Sequence, residues 1–241
     1  MERLLNIKEA AEFLNVSEMT VRRWTNKGLL KCYRIGGRQV RRFKAQDLIA
    51  YLESGDKVSS PDWVETGVKD FRVPDGSHIT HLCSDSAEAR EVAAAFITQG
   101  VRNDETICIV APDSVSQAVI EVLKARGVDV NRLKKTQKLI ISSGMKTPDR
   151  QARMLTDMAA SAGKGFRIFG DMTWTKAKGW LPQQIHQFED AVNRTPIISA
   201  GRLFLCQYKL ESFSGEETMT AIETHSHNIY RGKLTENPYF N

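Results

Sequence analysis

Between Arg22 and Lys44 the chain reads RRWTNKGLLKCYRIGGRQVRRFK, with nine Lys or Arg and no acidic residue. Cations at this density suit the neutralisation of phosphates along a nucleic-acid backbone, and the planar Arg fork adds bidentate contacts to phosphate or guanine. A second group of reactive side chains is scattered through the rest of the chain. His81 and Cys83 are two apart, hence on one face of a strand, Asp171 and Trp174 share the string DMTW, and Cys206 and Tyr208 are again two apart. An aromatic wall, thiols and a few polar handles make a pocket for a small, mostly apolar molecule. The alternative, ordinary buried thiols with Trp174 as a cover over the core, stays open.

The elements that must position the basic residues are legible. Ile7, Ala10, Ala11 and Leu14 form one apolar helical stripe behind a candidate N-cap, Asn6. Asn15-Val16 breaks the pattern, and Ser17 can cap a second helix from Glu18 to Lys27 that Gly28 ends. Thr20, Arg22, Arg23, Asn26 and Lys27 would be exposed on that helix, with Val21 and Trp24 turned inward. Leu30 to Ile35 and Gln39 to Phe43 are rich in strand formers, and Gly36-Gly37 between them predicts a hairpin, a wing carrying or flanked by Arg34, Arg38, Arg41 and Arg42. Leu48, Ile49, Tyr51 and Leu52 predict a third helix. The expected DNA contacts are Ser17, Thr20, Arg22, Arg23, Asn26, Lys27, Arg34, Arg38, Arg41 and Arg42.

The stretch LNIKEAAEFLNVSEMTVRRWTNKGLLKCYRIGGRQVRRFKAQDLIAYLE resembles the small winged helix-turn-helix domain of excisionases and the MerR superfamily. The resemblance implies that the Ser17 to Lys27 helix enters the major groove and that the wing meets the backbone or the minor groove.

Charge divides the chain. Residues 1–55 hold eleven Lys or Arg against six Asp or Glu, a net of +5, which equals the +5 of all 241 residues, so the remainder balances to zero. This length supports one small and one medium domain, with residues 1–55 as the DNA-binding domain, 56–69 as a linker around SGDKVSSP and 70–241 as the larger domain. The start is a charged amphipathic helix rather than a signal peptide, and no apolar run approaches a membrane span, so a cytoplasmic protein without membrane partners is expected. Cys32, Cys83, Cys108 and Cys206 contain no CxxC pair, which argues for reduced thiols.

Beyond the linker, strands are expected at 78–83, 106–111, 138–142, 166–170, 197–201 and 203–210, and helices at 87–100, 114–126, 150–161, 181–193 and 216–225. The alternation predicts an α/β domain with a mainly parallel sheet, and the last two strands are expected as an antiparallel pair at one edge. Neither G-x-x-x-x-G-K-[ST] nor G-x-G-x-x-G follows the first strand, and SGMKT and SAGKG have the wrong spacing. HExxH, GxSxG and convincing carboxylate pairs are likewise missing, so no enzyme, cofactor or metal is expected.

The strings GSHITHLCSDSAEAREVAAAFITQGVRNDETICIVAP, FRIFGDMTW, LFLCQYKLESFSGEE and THSHNIYRGKLTENPYF resemble, in order, the MEDS domain, a sensory domain of methanogen and methylotroph proteins and of DcmR-like regulators. The resemblance implies a fold related to the RecA and KaiC ATPases with its phosphate loop degraded. It also implies a repressor that senses small molecules, one-carbon or halogenated compounds among them. The expected ligand-binding residues are His81, Cys83, Asp171, Trp174, Cys206 and Tyr208. The expected partners are an operator DNA duplex, a small-molecule effector and further copies of the chain, as a homodimer or higher homo-oligomer whose paired DNA-binding domains change spacing with ligand. Two alternatives stand beside this. One is an architectural, excisionase-like protein with an oligomerising larger domain. The other is a thiol or metal sensor using His81, Cys83, Cys206, His225 and His227.

Overall fold

The computed structural model describes residues 3–26, 29–35, 40–53, 62–163, 165–194, 201–237 and 240. It divides into two compact units, Met1–Asp62 and Trp63–Phe240.

In the smaller unit, α1 (Ile7–Leu14) begins in a capping box: the Asn6 side chain accepts from the Glu9 backbone while Glu9 returns to the Asn6 amide. Asn15, at φ 53°, ends it in the left-handed region that Asn tolerates. Ser17 Oγ then accepts from Thr20 N at 3.1 Å and opens α2 (Glu18–Asn26). The strands β1 (Tyr33–Ile35) and β2 (Val40–Arg42) pair antiparallel, with Arg34 opposite Arg41, and α3 (Ala45–Glu53) follows. Ala10, Ala11, Val21, Leu30, Phe43 and Leu48 make the core, and the Trp24 ring packs 5.1 Å from that of Tyr51. The expected helix end at Gly28 and the hairpin tip at Gly36-Gly37 lie outside the described residues.

The larger unit opens with a hairpin, β3 (Trp63–Glu65) and β4 (Arg72–Pro74). Residues 63–69, expected as linker, therefore belong to this unit. They are held by Arg167, which donates to the Thr66 and Glu65 carbonyls at 2.9 and 3.2 Å. Then follow β5 (His78–Cys83), α4 (Ser86–Arg102), β6 (Thr106–Val110), α5 (Asp113–Ala125), α6 (Val130–Lys135), β7 (Leu139–Ser142), α7 (Pro148–Ser161) and β8 (Phe166–Asp171). The chain continues through α8 (Thr173–Ala177), α9 (Pro182–Arg194), β9 (Arg202–Lys209), α10 (Gly215–Glu223), β10 (His227–Tyr230) and β11 (Lys233–Glu236).

These strands form one seven-stranded sheet in the order β11-β10-β5-β9-β8-β6-β7, parallel throughout except for β11 against β10. The second strand of the expected antiparallel edge pair takes a different place. β9 lies inside the sheet, parallel to β5 and β8, because its LFLCQY run is apolar enough to be covered on both faces. Residues 197–200 lie outside the described ones, and the antiparallel edge comes from the polar tail, as β10 and β11. Helices α4, α5 and α6 bury Ile79, Ile107, Ile109, Phe169 and Leu205 on one face of the sheet. Helices α7, α9 and α10 bury Val110, Ile168, Phe204, Cys206 and Tyr208 on the other.

Candidate functional site

On the smaller unit, Arg22 of α2 and Arg34 of β1 are exposed, and Arg41 and Arg42 of β2 are half-buried. These groups crowd one another. Partial burial, then the like charges of Arg34 and Arg22, draw the Arg41 guanidinium below its ordinary pKa. Helix and hairpin thus contribute to one positive surface, which a phosphate backbone would relieve. Ser17 is exposed but committed to its capping bond, and Thr20 shares that cap, Ser17 Oγ lying 2.9 Å from Thr20 Oγ1. The side chains of Arg23 and Asn26, and all of Lys27 and Arg38, lie outside the described residues.

In the larger unit the six expected ligand residues do not form one pocket, because alternate strand residues point to opposite faces. His81 and Cys83 face α4, where His81 Nδ1 lies 2.9 Å from Gln207 Nε2, and Gln207 Nε2 donates to the Ala89 carbonyl at 3.0 Å. Asp171 is on this side too, its charge felt by Cys83; its carboxylate accepts from the Thr173 amide at 3.1 Å and from the Thr173 hydroxyl. Burial, with Asp171 and Glu88 adding to it, pushes the Cys83 thiol up to about 12. This end of β5 is where a nucleotide phosphate sits in nucleotide-binding α/β sheets. Here Asp85 caps α4 itself, accepting from Glu88 N at 2.7 Å.

Trp174, Cys206 and Tyr208 lie on the opposite face. Trp174 is in α8 rather than a loop, edge-on to Trp180 at 4.7 Å, and Gly144 (φ +79°) lies flat against its indole. Beneath it is a small cavity of about 20 Å³, room for one water-sized occupant. Its walls are mostly apolar, with His78, Cys206 and Gln151 as the polar members, and the buried Gln151 Nε2 has no hydrogen-bond partner. A wider, open hollow of about 710 Å³, lined by Lys134, Lys138 and Asp157 among others, lies at the amino ends of β6 and β7, away from the end where open sheets bind ligands.

Next to the small cavity stands a polar cluster inside the core: His78 from β5, Glu189 from α9, Cys206 from β9 and His225 just after α10. All four are buried. His78 Nε2 lies 3.3 Å from Cys206 Sγ and 3.5 Å from Glu189 Oε2, and His225 Nε2 lies 3.8 Å from the same carboxylate oxygen. Tyr208 donates to Glu189 Oε1 at 2.6 Å. Burial pulls His78 down to about 4 and His225 well below its usual value, with His78 a second cause for His225. Burial raises Glu189 to about 7 against the pull of the Tyr208 hydrogen bond, and raises the Cys206 thiol, with Glu189 adding to it. Buried polar groups at this density are the informative exception in a core. His78 and Glu189 were not among the expected site residues. Glu189 had a signal, because it falls on the stripe Ile185, Phe188, Glu189, Val192 that α9 buries. His225 and His227, expected only as members of a metal or thiol sensor, are both buried.

The comparisons agree with this division. Residues 4–56 match a helix-turn-helix domain family. A transcriptional repressor, DcmR of Methylorubrum extorquens (strain DSM 6343 / CIP 106787 / DM4), is 28% identical over 244 residues, covering 93% of this chain and 90% of that protein. A KaiC-like protein of Pyrococcus horikoshii OT3 superposes with a TM-score of 0.51 at 14% identity, over 69% of this chain and 78% of that one, a likeness of fold alone. Residues 77–226 match MEDS, the methanogen/methylotroph, DcmR sensory domain, and with its sheet, its helix-turn-helix unit and that match the chain belongs to the MEDS family.

Proposed function

We propose that this protein is a DNA-binding transcriptional repressor whose larger unit senses a small molecule and which catalyses no reaction. The observation that carries the DNA-binding half is the crowding of Arg22, Arg34 and Arg41, drawn from a helix and a hairpin onto one surface. Mutual repulsion at such a surface is a cost that bound phosphates convert into affinity. The hairpin of β1 and β2 has the place and charge of a wing, which supports the excisionase and MerR type of domain. The similarity to a repressor over nearly the whole chain supports the sign of regulation.

For the sensing half, the cavity under Trp174 is apolar but admits one water-sized occupant as it stands, so a one-carbon or halogenated effector would enter it by displacing its walls. Gln151 Nε2 offers a buried, unused hydrogen-bond donor among the cavity walls. Of the six expected ligand residues, Trp174 and Cys206 line this cavity, Tyr208 orients Glu189 beside it, and His81, Cys83 and Asp171 serve the other face. Every cysteine described in the larger unit is buried, which disfavours a thiol-reactive switch, since such switches need an accessible thiolate.

Selection from random duplex DNA, followed by titration of the selected site with and without candidate effectors, tests both halves. Site-specific binding that a small halogenated or one-carbon compound weakens is expected, and the same compound must bind the DNA-bound protein less tightly by an equal factor, a tenfold effect being about 1.4 kcal/mol. Failure to select any sequence would overturn the first half. Equal effector affinity with and without DNA would overturn the second.

A further inference from the structure

We propose that His78, Glu189, Cys206 and His225 form a four-coordinate site for a divalent transition-metal ion of the zinc class, buried between the sheet and helices α9 and α10. The site stands independently of any effector in the neighbouring cavity.

The first argument is the direction of the lone pairs. Asn193 Nδ2 donates to the Thr224 carbonyl at 2.6 Å, so the Asn193 oxygen faces His78 Nδ1, 3.0 Å away. His78 therefore carries its proton on Nδ1, and Nε2 presents a bare lone pair to the cluster. The Ala221 carbonyl, 2.7 Å from His225 Nδ1, fixes the same tautomer there. Tyr208 occupies Glu189 Oε1. Three acceptors thus converge, His78 Nε2, His225 Nε2 and Glu189 Oε2, and the last two have no hydrogen-bond partner. Acceptors gathered without matching donors are costly in a protein interior and are what a cation requires.

Geometry agrees. All four donor atoms lie within 4.8 Å of one another, and three of the separations, 3.3, 3.5 and 3.8 Å, come within about 0.5 Å of the edges of about 3.3–3.6 Å of a tetrahedron built from ordinary zinc–nitrogen, zinc–oxygen and zinc–sulfur bonds, so the ligands close in slightly on the ion. Charge agrees as well. One thiolate and one carboxylate balance a divalent ion, so the filled site is neutral in its apolar surroundings; the thiol proton, and the carboxyl proton where Glu189 carries one, leave for solvent on binding. Each His donates its other ring nitrogen to an oxygen, and the carboxylate is hydrogen-bonded too, the outer arrangement that orients metal ligands. Two nitrogens, one oxygen and one sulfur favour zinc, with cobalt(II) as its spectroscopic substitute, over magnesium or calcium.

The test uses the full chain, stripped with a chelator under reducing conditions and refilled with Zn²⁺ or Co²⁺. One tightly held ion per chain is expected, with the visible bands of tetrahedral Co²⁺ and a near-ultraviolet thiolate-to-cobalt band. Cys206→Ser should abolish the thiolate band, Cys83→Ser should keep it, and Glu189→Gln and His225→Gln should weaken binding. Asn193→Ala should lower affinity about 10–100-fold with the band shape kept, as loss of an outer partner does. Circular dichroism separates lost ligation from lost folding, and the isosteric Glu189→Gln guards against a variant that fails to fold. A folded wild-type chain that takes up neither ion stoichiometrically overturns the proposal, as does a thiolate band that survives Cys206→Ser.

Discussion

Arg167, buried on β8, grips Glu105 at two points, Nε to Oε2 at 2.6 Å and Nη2 to Oε1 at 3.1 Å, while its remaining donors reach the carbonyls of Glu65, Thr66 and Phe96. One guanidinium therefore holds the β3–β4 hairpin, α4 and the strand start together. Gly100 leaves it room, since a Cβ there would fall 2.9 Å from Arg167 Cδ. Arg167→Met leaves three carbonyls and a carboxylate without their donor and should cost about 3–5 kcal/mol in urea unfolding. A loss below about 1 kcal/mol, the range of an exposed pair, would show that the hairpin is not anchored this way.

Gly144→Ala should disturb Trp174 directly. The added Cβ would fall 2.1 Å from the indole Cε3, and the positive φ penalises any side chain at that position. Destabilisation of about 1–3 kcal/mol is expected. Altered tryptophan emission and weaker effector binding should accompany it. Unchanged emission would mean that the 143–147 segment does not lie on the ring.

Arg22→Ala and Arg34→Ala should each reduce the slope of log affinity against log salt by about one if the residue meets a phosphate. Should one of them meet a base instead, the slope holds and discrimination at one position of the selected site is lost. No change in either quantity for both variants would remove the helix-and-hairpin surface as the interface.

Burial holds His81 at about 4, below its ordinary 6.5. The folded state thus resists protonation, so between these values the unfolded chain binds the extra proton and stability falls as the pH drops from 6.5 towards 4. The loss between pH 7 and pH 5 is about 2 kcal/mol. His81→Gln keeps a partner for Gln207 and should flatten this acid limb by that amount. His78 and His225 push the same way but are present in both proteins, so the difference reports His81. Parallel limbs would contradict its burial as a neutral imidazole.

The sheet was readable because runs such as ICIV and LFLCQY have the continuous apolar character of strands covered on both faces. Strand order was not, since no local pattern says that β9 lies between β5 and β8, and the HNIY and KLTE strands mix polar and apolar residues as loops do. The core cluster was missed for a parity reason. His81 and Cys83 share a face of β5, but His78 is on the other one, and a shift of one residue exchanges faces. The partners of Cys206 come from an acid on the apolar stripe of α9 and from a residue just past α10, distant in sequence and joined only by the fold.

The Asp85 cap at the start of α4 has a further consequence. In this fold the amino end of that helix is the natural receptor for a nucleotide's phosphates, and here the protein supplies its own permanent counter-ion, with Glu88 and Asp171 reinforcing the negative field around Cys83. An approaching triphosphate meets like charge instead of free amides. A phosphate brought to this helix end would have to displace the Asp85 carboxylate from the amide it caps, so the start of α4 is already spoken for by the chain itself.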